Sequence, residues 1–158
     1  MDIRLILGPN NSGKSLLAEK MVVETENLHR IYLATMVPQT DDNKKRIQKH
    51  IAQREGKGFQ TIEESWNIHT LNLPKDSIVL LEDASNLLAN GIFFHHSDYH
   101  ECFECILTLA ENCKKLIIVS IDGLTSSKTY DSETNDYINQ LNHLNELLEN
   151  ISSGCIKV

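Results

Sequence analysis

The stretch Leu7-Gly8-Pro9-Asn10-Asn11-Ser12-Gly13-Lys14-Ser15 decides the fold. It fits the phosphate-binding pattern G-x-x-x-x-G-K-[ST] at every fixed position, between a β-prone apolar run at 3–7 and a helix-prone run at 16–21. Strand, glycine-containing loop and helix are the context in which this pattern binds phosphate. Lys14 is then expected to reach the β- and γ-phosphates, and the Ser15 hydroxyl to bind Mg²⁺. The alternative is a chance match in a Gly/Asn turn, which the flanking strand and helix argue against.

Length and composition restrict the class of protein. The chain has 158 residues, which predicts one domain spanning 1–158, and a net charge of −7, which argues against a nucleic-acid-binding surface. No apolar run reaches the ~18 residues of a membrane span. The chain starts directly with a predicted strand, so we expect no signal peptide. The cysteines are few and unevenly spaced (Cys102, Cys105, Cys113 and Cys155), which favours reduced thiols in a cytoplasmic protein.

Predicted strands and helices alternate along the chain. Strands are expected at 30–35, 59–63, 77–81 and 115–121, with an edge strand at 155–158. Helices are expected from an N-cap at Asp41 or Asp42 to Arg54, from about Ser85, at 99–113 and, after a polar loop at 123–132, at 134–150. Gly56 and Gly58 should stop the helix that ends at Arg54. The alternation predicts a three-layer α/β fold of the phosphate-loop NTPase type, with a mostly parallel sheet covered on both faces.

Two acidic residues follow the apolar run at 77–81. In phosphate-loop proteins an acid at the end of a strand holds Mg²⁺ directly or through water. Glu82 comes first, and Asp83 competes for the role. Alone, the pair could equally be solvated, but a phosphate loop in the same chain favours the functional interpretation.

The helix predicted to end at Arg54 carries a possible phosphate-binding face. Arg46, His50 and Arg54 recur at spacings of four, so successive members drift by about 40° and share one face. We expect Ile47 and Ile51 on the adjoining, buried face. Two arginines beside a histidine could bind phosphate and present the imidazole to it. The alternative, which the pattern alone favours, is a solvated basic face with glutamate partners.

Histidines and cysteines cluster near residue 100, but packing in the core explains the cysteines better than a metal site does. Cys102 and Cys105 lie inside an apolar helix, and the second cysteine pair that a zinc site would offer is missing. We therefore expect both cysteines in the core, despite the nearby His95, His96 and His100. Trp66 is also expected in the core rather than as a binding platform.

Several short motifs occur in a recognisable order. They are the phosphate loop, Tyr32-Leu33-Ala34-Thr35, Arg46-Ile47-Gln48-Lys49-His50 with Arg54, Thr61-Ile62-Glu63-Glu64, and Leu80-Leu81-Glu82 with Asn90. This series resembles the cobinamide kinase / cobinamide-phosphate guanylyltransferase family of cobalamin biosynthesis, most clearly over residues 1–95. The R-I-x-x-H-x-x-x-R element is the most specific part, because generic phosphate-loop kinases lack it. The resemblance reverses the preference for a solvated face around His50.

The resemblance implies a bifunctional enzyme. Members phosphorylate the aminopropanol hydroxyl of adenosylcobinamide from ATP or GTP, and then transfer GMP from GTP to the cobinamide phosphate through a guanylylated histidine. By position that histidine is His50, acting with Lys14, while Ser15 and Glu82 would hold Mg²⁺. The implied nucleotide site comprises Gly8, Pro9, Asn10, Asn11, Ser12, Gly13, Lys14, Ser15, Ala34, Thr35, Met36, Ile51, Ala52, Gln53, Arg54, Glu63 and Glu82. A sheet like that of recombinase-type ATPases and a homotrimer are also implied.

The second half of the chain departs from this pattern. The family strand usually ends V-[ST]-N-E-V-G, whereas here Ile121 replaces the Asn and Asp122 the Glu. The arginine- and glycine-containing segment before the last helix is missing. Two other functions stay open: a phosphate-loop kinase of another small substrate, and a nucleotide-binding regulatory or scaffold protein without catalysis. A covalent GMP adduct on His50 would distinguish the bifunctional enzyme from both of these alternatives.

Overall fold

The computed structural model describes residues 1–26 and 28–158, which form one six-stranded sheet and its covering helices. The strands are β1 (Asp2–Gly8), β2 (His29–Ala34), β3 (Gln60–Glu63), β4 (Ser77–Glu82), β5 (Lys115–Ile121) and β6 (Gly154–Lys157). The helices are α1 (Lys14–Val23), α2 (Asp41–Arg54), α3 (Ala84–His95), α4 (Tyr99–Glu111) and α5 (Ser132–Ile151), with a short 3-10 helix at Ile68–Thr70.

The strand order β3-β2-β4-β5-β1-β6 is parallel throughout. Gly8 pairs with Ile121, and Ala34 pairs with Glu82, so the carboxyl ends of the central strands lie at one edge of the sheet. In open parallel sheets this edge is where ligands bind. The predicted three-layer, phosphate-loop NTPase-like α/β fold is confirmed, and β6 is the predicted edge strand.

The central strands are buried on both faces, as their near-continuous apolar runs predict. Along β1, Leu5 packs into the larger apolar cluster on one face, whereas Ile6 packs with α1 on the other. Trp66 lies in the larger cluster, so its predicted core position is confirmed. It packs directly over Gly91, where any Cβ atom would collide with the indole ring. Cys102 is also fully buried, and Cys105 is half-buried against the same cluster.

Helix α2 differs from its prediction in two respects. Its N-cap is Thr40, whose hydroxyl accepts a hydrogen bond from the Asn43 N–H, and not Asp41 or Asp42, which occupy the first turn. Threonine can cap from the extended backbone that precedes the helix, and the two acids still face the positive end of its dipole. The prediction that Ile47 and Ile51 form a buried apolar face is also wrong, because Ile51 is 45% exposed and the only buried residue of α2 is Arg54.

Other boundaries move by a few residues. Helix α4 ends at Glu111 rather than at residue 113, and α5 begins at Ser132, two residues earlier than predicted, because Asp131 caps it by accepting from the Thr134 N–H. Within the described residues, no helix is both long and apolar enough to cross a membrane.

Candidate functional site

The phosphate loop joins β1 to α1 at the carboxyl edge of the sheet. Gly13 stands at the N-cap of α1 with φ of 86°, a left-handed conformation that favours glycine. No side chain among the described residues caps this helix. The first backbone N–H groups of α1 are therefore left to an anion, which the helix dipole also attracts.

Lys14 lies within this loop rather than in solvent. Its ammonium donates to the Pro9 carbonyl at 2.5 Å and lies 3.4 Å from the Ser12 hydroxyl. Burial lowers the pKa of Lys14, while the carboxylates of Asp83 and Glu82 oppose the shift. A cation held by neutral oxygens of its own loop is well placed to exchange them for charged phosphate oxygens.

The two acids at the end of β4 have different partners. Asp83 caps α3, because its Oδ1 accepts from the Ser85 hydroxyl and from the Asn86 N–H, both at 2.7 Å. Glu82 Oε1 is buried without a hydrogen-bond partner among the described residues. Burial, and next the charge of Asp83, raise the pKa of Glu82 to about 8, against the effect of the Ser15 hydroxyl. The acid left to bind a ligand is therefore Glu82.

Thr35 fixes the backbone that carries these acids. Its hydroxyl accepts from the Asp83 N–H at 3.0 Å and lies 3.0 Å from the Glu82 carbonyl, to which it can donate. The Asn90 amide donates to the Thr35 carbonyl at 2.8 Å and to the Ser65 carbonyl at 2.9 Å. This buried network holds the ends of β2 and β4 together, so Thr35 supports the site from behind.

His50 lies on α2 and lines a cavity that the phosphate loop also lines. Its Nδ1 is buried and has no hydrogen-bond partner among the described residues. Burial lowers the pKa of His50; Glu19 opposes this shift, and Arg46 and Arg54 reinforce it. The imidazole is therefore neutral at neutral pH, the form that can act as a nucleophile.

The two arginines of the predicted basic face have different environments. The Arg54 guanidinium stacks 3.5 Å from the ring centroid of Tyr32 and donates to the Thr61 hydroxyl at 3.0 Å. Arg46 is exposed and lines the cavity beside His50. Of the two, Arg46 is the one free to move towards a phosphate, whereas Arg54 joins α2 to the sheet.

A cavity of about 390 Å³ brings most predicted site residues together. Its wall includes Asn10, Asn11, Ser12, Gly13, Lys14, Ser15, Ala34, Met36, His50, Ile51, Gln53, Arg54, Glu63 and Glu82. Gly8, Pro9, Thr35 and Ala52 lie outside this wall. The cavity is large enough for a small-molecule ligand, and it places a histidine, a lysine and a carboxyl group around one space.

A sequence model of the family described as cobinamide kinase / cobinamide phosphate guanyltransferase matches residues 4–158. The chain belongs to this family. The match includes the second half, where the strand ending Ile121-Asp122 departs from the usual motif. No curated protein matches the chain.

Membership of the cobinamide kinase / cobinamide phosphate guanyltransferase family makes the protein a nucleotide-using enzyme of cobinamide metabolism, in cobalamin biosynthesis. Corrinoid substrates are consistent with that family.

The cavity also fits a divalent cation beside a nucleotide. Among the described residues there is no group of three or more His, Cys, Asp or Glu side chains that could hold a metal alone. Mg²⁺ does not require one, because it is commonly bound by one or two protein oxygens together with phosphates and water. The unpartnered Glu82 Oε1 and the adjacent Ser15 hydroxyl are oxygens of the kind it takes.

Two residues that shape this site were not predicted from the sequence. The ring of Tyr32 lies beneath the Arg54 guanidinium. Its place in the motif Tyr32-Leu33-Ala34-Thr35 was the one sequence feature that could have indicated this role. Glu19 is a fully buried acid of α1 that contacts the segment carrying His50. No local pattern marks Glu19, because its partners lie more than thirty residues away along the chain.

Proposed function

We propose that this enzyme phosphorylates adenosylcobinamide from ATP or GTP and then transfers GMP from GTP to the product through His50. One observation supports it above the others. Only two buried side-chain polar atoms among the described residues lack a hydrogen-bond partner, His50 Nδ1 and Glu82 Oε1, and both residues line the same cavity. Buried polar atoms without partners are rare and are usually explained by a ligand or by catalysis.

The phosphate loop would bind the triphosphate. The N–H groups at the start of α1 and the Lys14 ammonium would take the β- and γ-phosphates. Ser15 and Glu82 would hold Mg²⁺, which neutralises developing charge on the phosphates. In the kinase step, the aminopropanol hydroxyl oxygen attacks the γ-phosphorus and its proton passes to solvent. The bond between the γ-phosphorus and the bridging oxygen breaks, and the nucleoside diphosphate leaves.

The guanylyl transfer would use His50 as the nucleophile. Its unprotonated nitrogen attacks the α-phosphorus of GTP and forms a phosphorus–nitrogen bond. The bond between the α-phosphorus and the oxygen that bridges to the β-phosphorus breaks, and pyrophosphate leaves. A phosphate oxygen of cobinamide phosphate then attacks the same phosphorus and releases the histidine. The lowered pKa of His50 keeps the imidazole neutral for the first attack. Lys14 and Arg46 would stabilise the charge on the leaving group.

The test is mass spectrometry of the protein and of the corrinoid after incubation with GTP and Mg²⁺, either alone, with cobinamide or with cobinamide phosphate. We expect the mass of one GMP to be added, through a bond that is acid-labile and fairly base-stable. His50→Ala should abolish the adduct while leaving nucleotide binding and cobinamide phosphorylation largely intact. His69→Ala is the matched control, because His69 is an exposed histidine of the 3-10 helix and does not line the cavity.

Other results would favour a different function. Phosphorylation of cobinamide without an adduct would leave a kinase alone. Nucleotide binding without either reaction would indicate a protein that has lost catalysis. An adduct that persists in His50→Ala would contradict the assignment of His50.

A further inference from the structure

Glu19 is a buried carboxylate that the proposed chemistry does not use. It lies on α1 and none of its surface is exposed. Its two oxygens contact the segment of the chain that carries His50: Oε2 accepts from the Gln53 amide at 2.5 Å, and Oε1 lies 3.2 Å from the Lys57 ammonium. The Lys57 carbonyl in turn accepts from Arg30 of β2 at 2.7 Å. We call the Glu19, Gln53 and Lys57 contacts the α1–α2 clasp.

Helix α2 has little else to hold it. It buries no apolar side chain, and its isoleucines at 47 and 51 line the cavity instead of packing on the sheet. Among the described residues, its other side-chain attachment to the sheet is Arg54, through Tyr32 and Thr61. Polar contacts therefore determine where α2 lies relative to the phosphate loop.

The clasp connects residues that lie close in sequence to His50 on one helix and to the phosphate loop on the other. Gln53 follows His50 by three residues, so the two side chains are neighbours on one face of α2. Glu19 follows Ser15 by four residues on α1. The clasp thus joins the turn that carries the histidine to the helix that begins with Lys14 and Ser15.

We infer that Glu19 is a positioning residue for guanylyl transfer: through Gln53 and Lys57 it holds His50 at the distance from the phosphate loop at which its imidazole reaches the α-phosphate. The inference rests on the proposed function of His50. Misplacing a reacting group by about 1 Å can cost a hundredfold in rate, so a helix fixed mainly by polar contacts is sensitive to the loss of one of them.

Glu19 also acts on His50 through its charge, and loss of that charge would affect the labelling rate in the opposite direction to misplacement of His50. His50 faces Glu19 from α1 and Arg46, Lys49 and Arg54 from its own helix, in addition to its burial. Removing the only carboxylate of this set makes His50 easier to deprotonate. If Glu19 acted through charge alone, its neutralisation would not slow labelling at neutral pH, and a loss of rate therefore reports position.

The experiment measures single-turnover transfer of GMP from GTP to the full-length protein with Mg²⁺. Glu19→Gln keeps the volume but presents an amide to two donors, so one contact is lost. We expect labelling to slow on the order of tenfold or more, with GTP affinity and cobinamide phosphorylation within about twofold of the parent. The acid midpoint of the rate should move to lower pH. Glu24→Gln is the matched control, because Glu24 follows the same helix and is exposed.

A second variant guards against misfolding of Glu19→Gln. Lys57→Met removes one partner of the clasp from a partly exposed site outside the cavity wall and leaves Glu19 in place. We expect it to slow labelling in the same direction, by a smaller factor. Equal labelling rates in the parent and in both variants would overturn the role of Glu19 alone. No label on the parent would overturn the transfer itself, and the role of Glu19 with it.

Discussion

Replacing Lys14 by methionine should remove most of the stabilisation that GTP and Mg²⁺ give to the fold. The Lys14 ammonium now contacts the Pro9 carbonyl and the Ser12 hydroxyl of its own loop. In the nucleotide complex it would bind phosphate oxygens instead. Methionine keeps the aliphatic stem that fills this buried position, so the unliganded fold should be little changed.

The size of the effect follows from the chain length. Ligand at a hundred times Kd adds ~2.7 kcal/mol to the free energy of unfolding. For a chain of 158 residues the entropy of unfolding is about 0.33 kcal/mol/K, so the melting temperature of the parent should rise by ~8 °C. Losing a charged contact to phosphate costs at least ~2–3 kcal/mol. That loss weakens binding about a hundredfold and reduces the shift to ~1 °C.

The assay is thermal unfolding with and without saturating GTP and Mg²⁺. Lys20→Met is the matched control, because Lys20 is an exposed lysine of α1 and should keep the full shift. An unchanged melting temperature for the parent would refute the phosphate-loop assignment. An equal shift in the parent and in Lys14→Met would refute the contact between Lys14 and phosphate.

The remaining predictions concern the acids, their support and the nucleophile. Glu82→Gln should weaken the Mg²⁺-dependent part of GTP binding more than Asp83→Asn does, because Asp83 caps α3. The measurement is a titration of each variant with fluorescent GTP in the presence of Mg²⁺ or of EDTA. An equal response of the two variants would exclude Glu82 as a residue of the metal site. Thr35→Val should lower the free energy of unfolding in urea by ~1–3 kcal/mol, since it leaves the buried Asp83 N–H without an acceptor, whereas Thr35→Ser should retain most of it. The rate of GMP labelling should fall to half of its maximum at a pH below about 6.5, the ordinary pKa of histidine, because burial lowers the pKa of His50 and the neutral form attacks. A midpoint above that value in the rate–pH profile would contradict this ionisation.

The parts predicted well from sequence depend on local chemistry or on burial from both sides. The phosphate loop carries its own geometry, because Gly13 supplies the left-handed backbone and the helix that follows supplies the N–H groups. Strand β5 was predicted with its observed bounds, since the apolar run at 116–119 is typical of a strand covered on both faces. Burial of Trp66 and Cys102 followed from their apolar character alone.

The parts predicted poorly depend on partners remote in the chain. The helical period placed Ile47 and Ile51 on a common face, but periodicity does not reveal whether that face meets a core or a cavity. The Thr35 motif marked a functional position without distinguishing contact with nucleotide from support of the strand that ends in Glu82. Glu19 could not be recognised, because a lone acid in a helix is usually solvated.

The distribution of contacts indicates that activity and stability are separable in this protein. The apolar clusters on the two faces of the sheet contain residues of α1, α3, α4 and α5, but none of α2. The helix that carries His50 is therefore attached by the α1–α2 clasp and by Arg54, whose contacts are polar or cationic. Loss of one such contact displaces a reacting group without opening a cavity in the core. Substitutions at Gln53 and Lys57, which lie nearer the surface than Glu19 and leave it in place, should change the rate of GMP transfer more than the free energy of unfolding. Substitutions in the core, as at Leu5, should do the reverse.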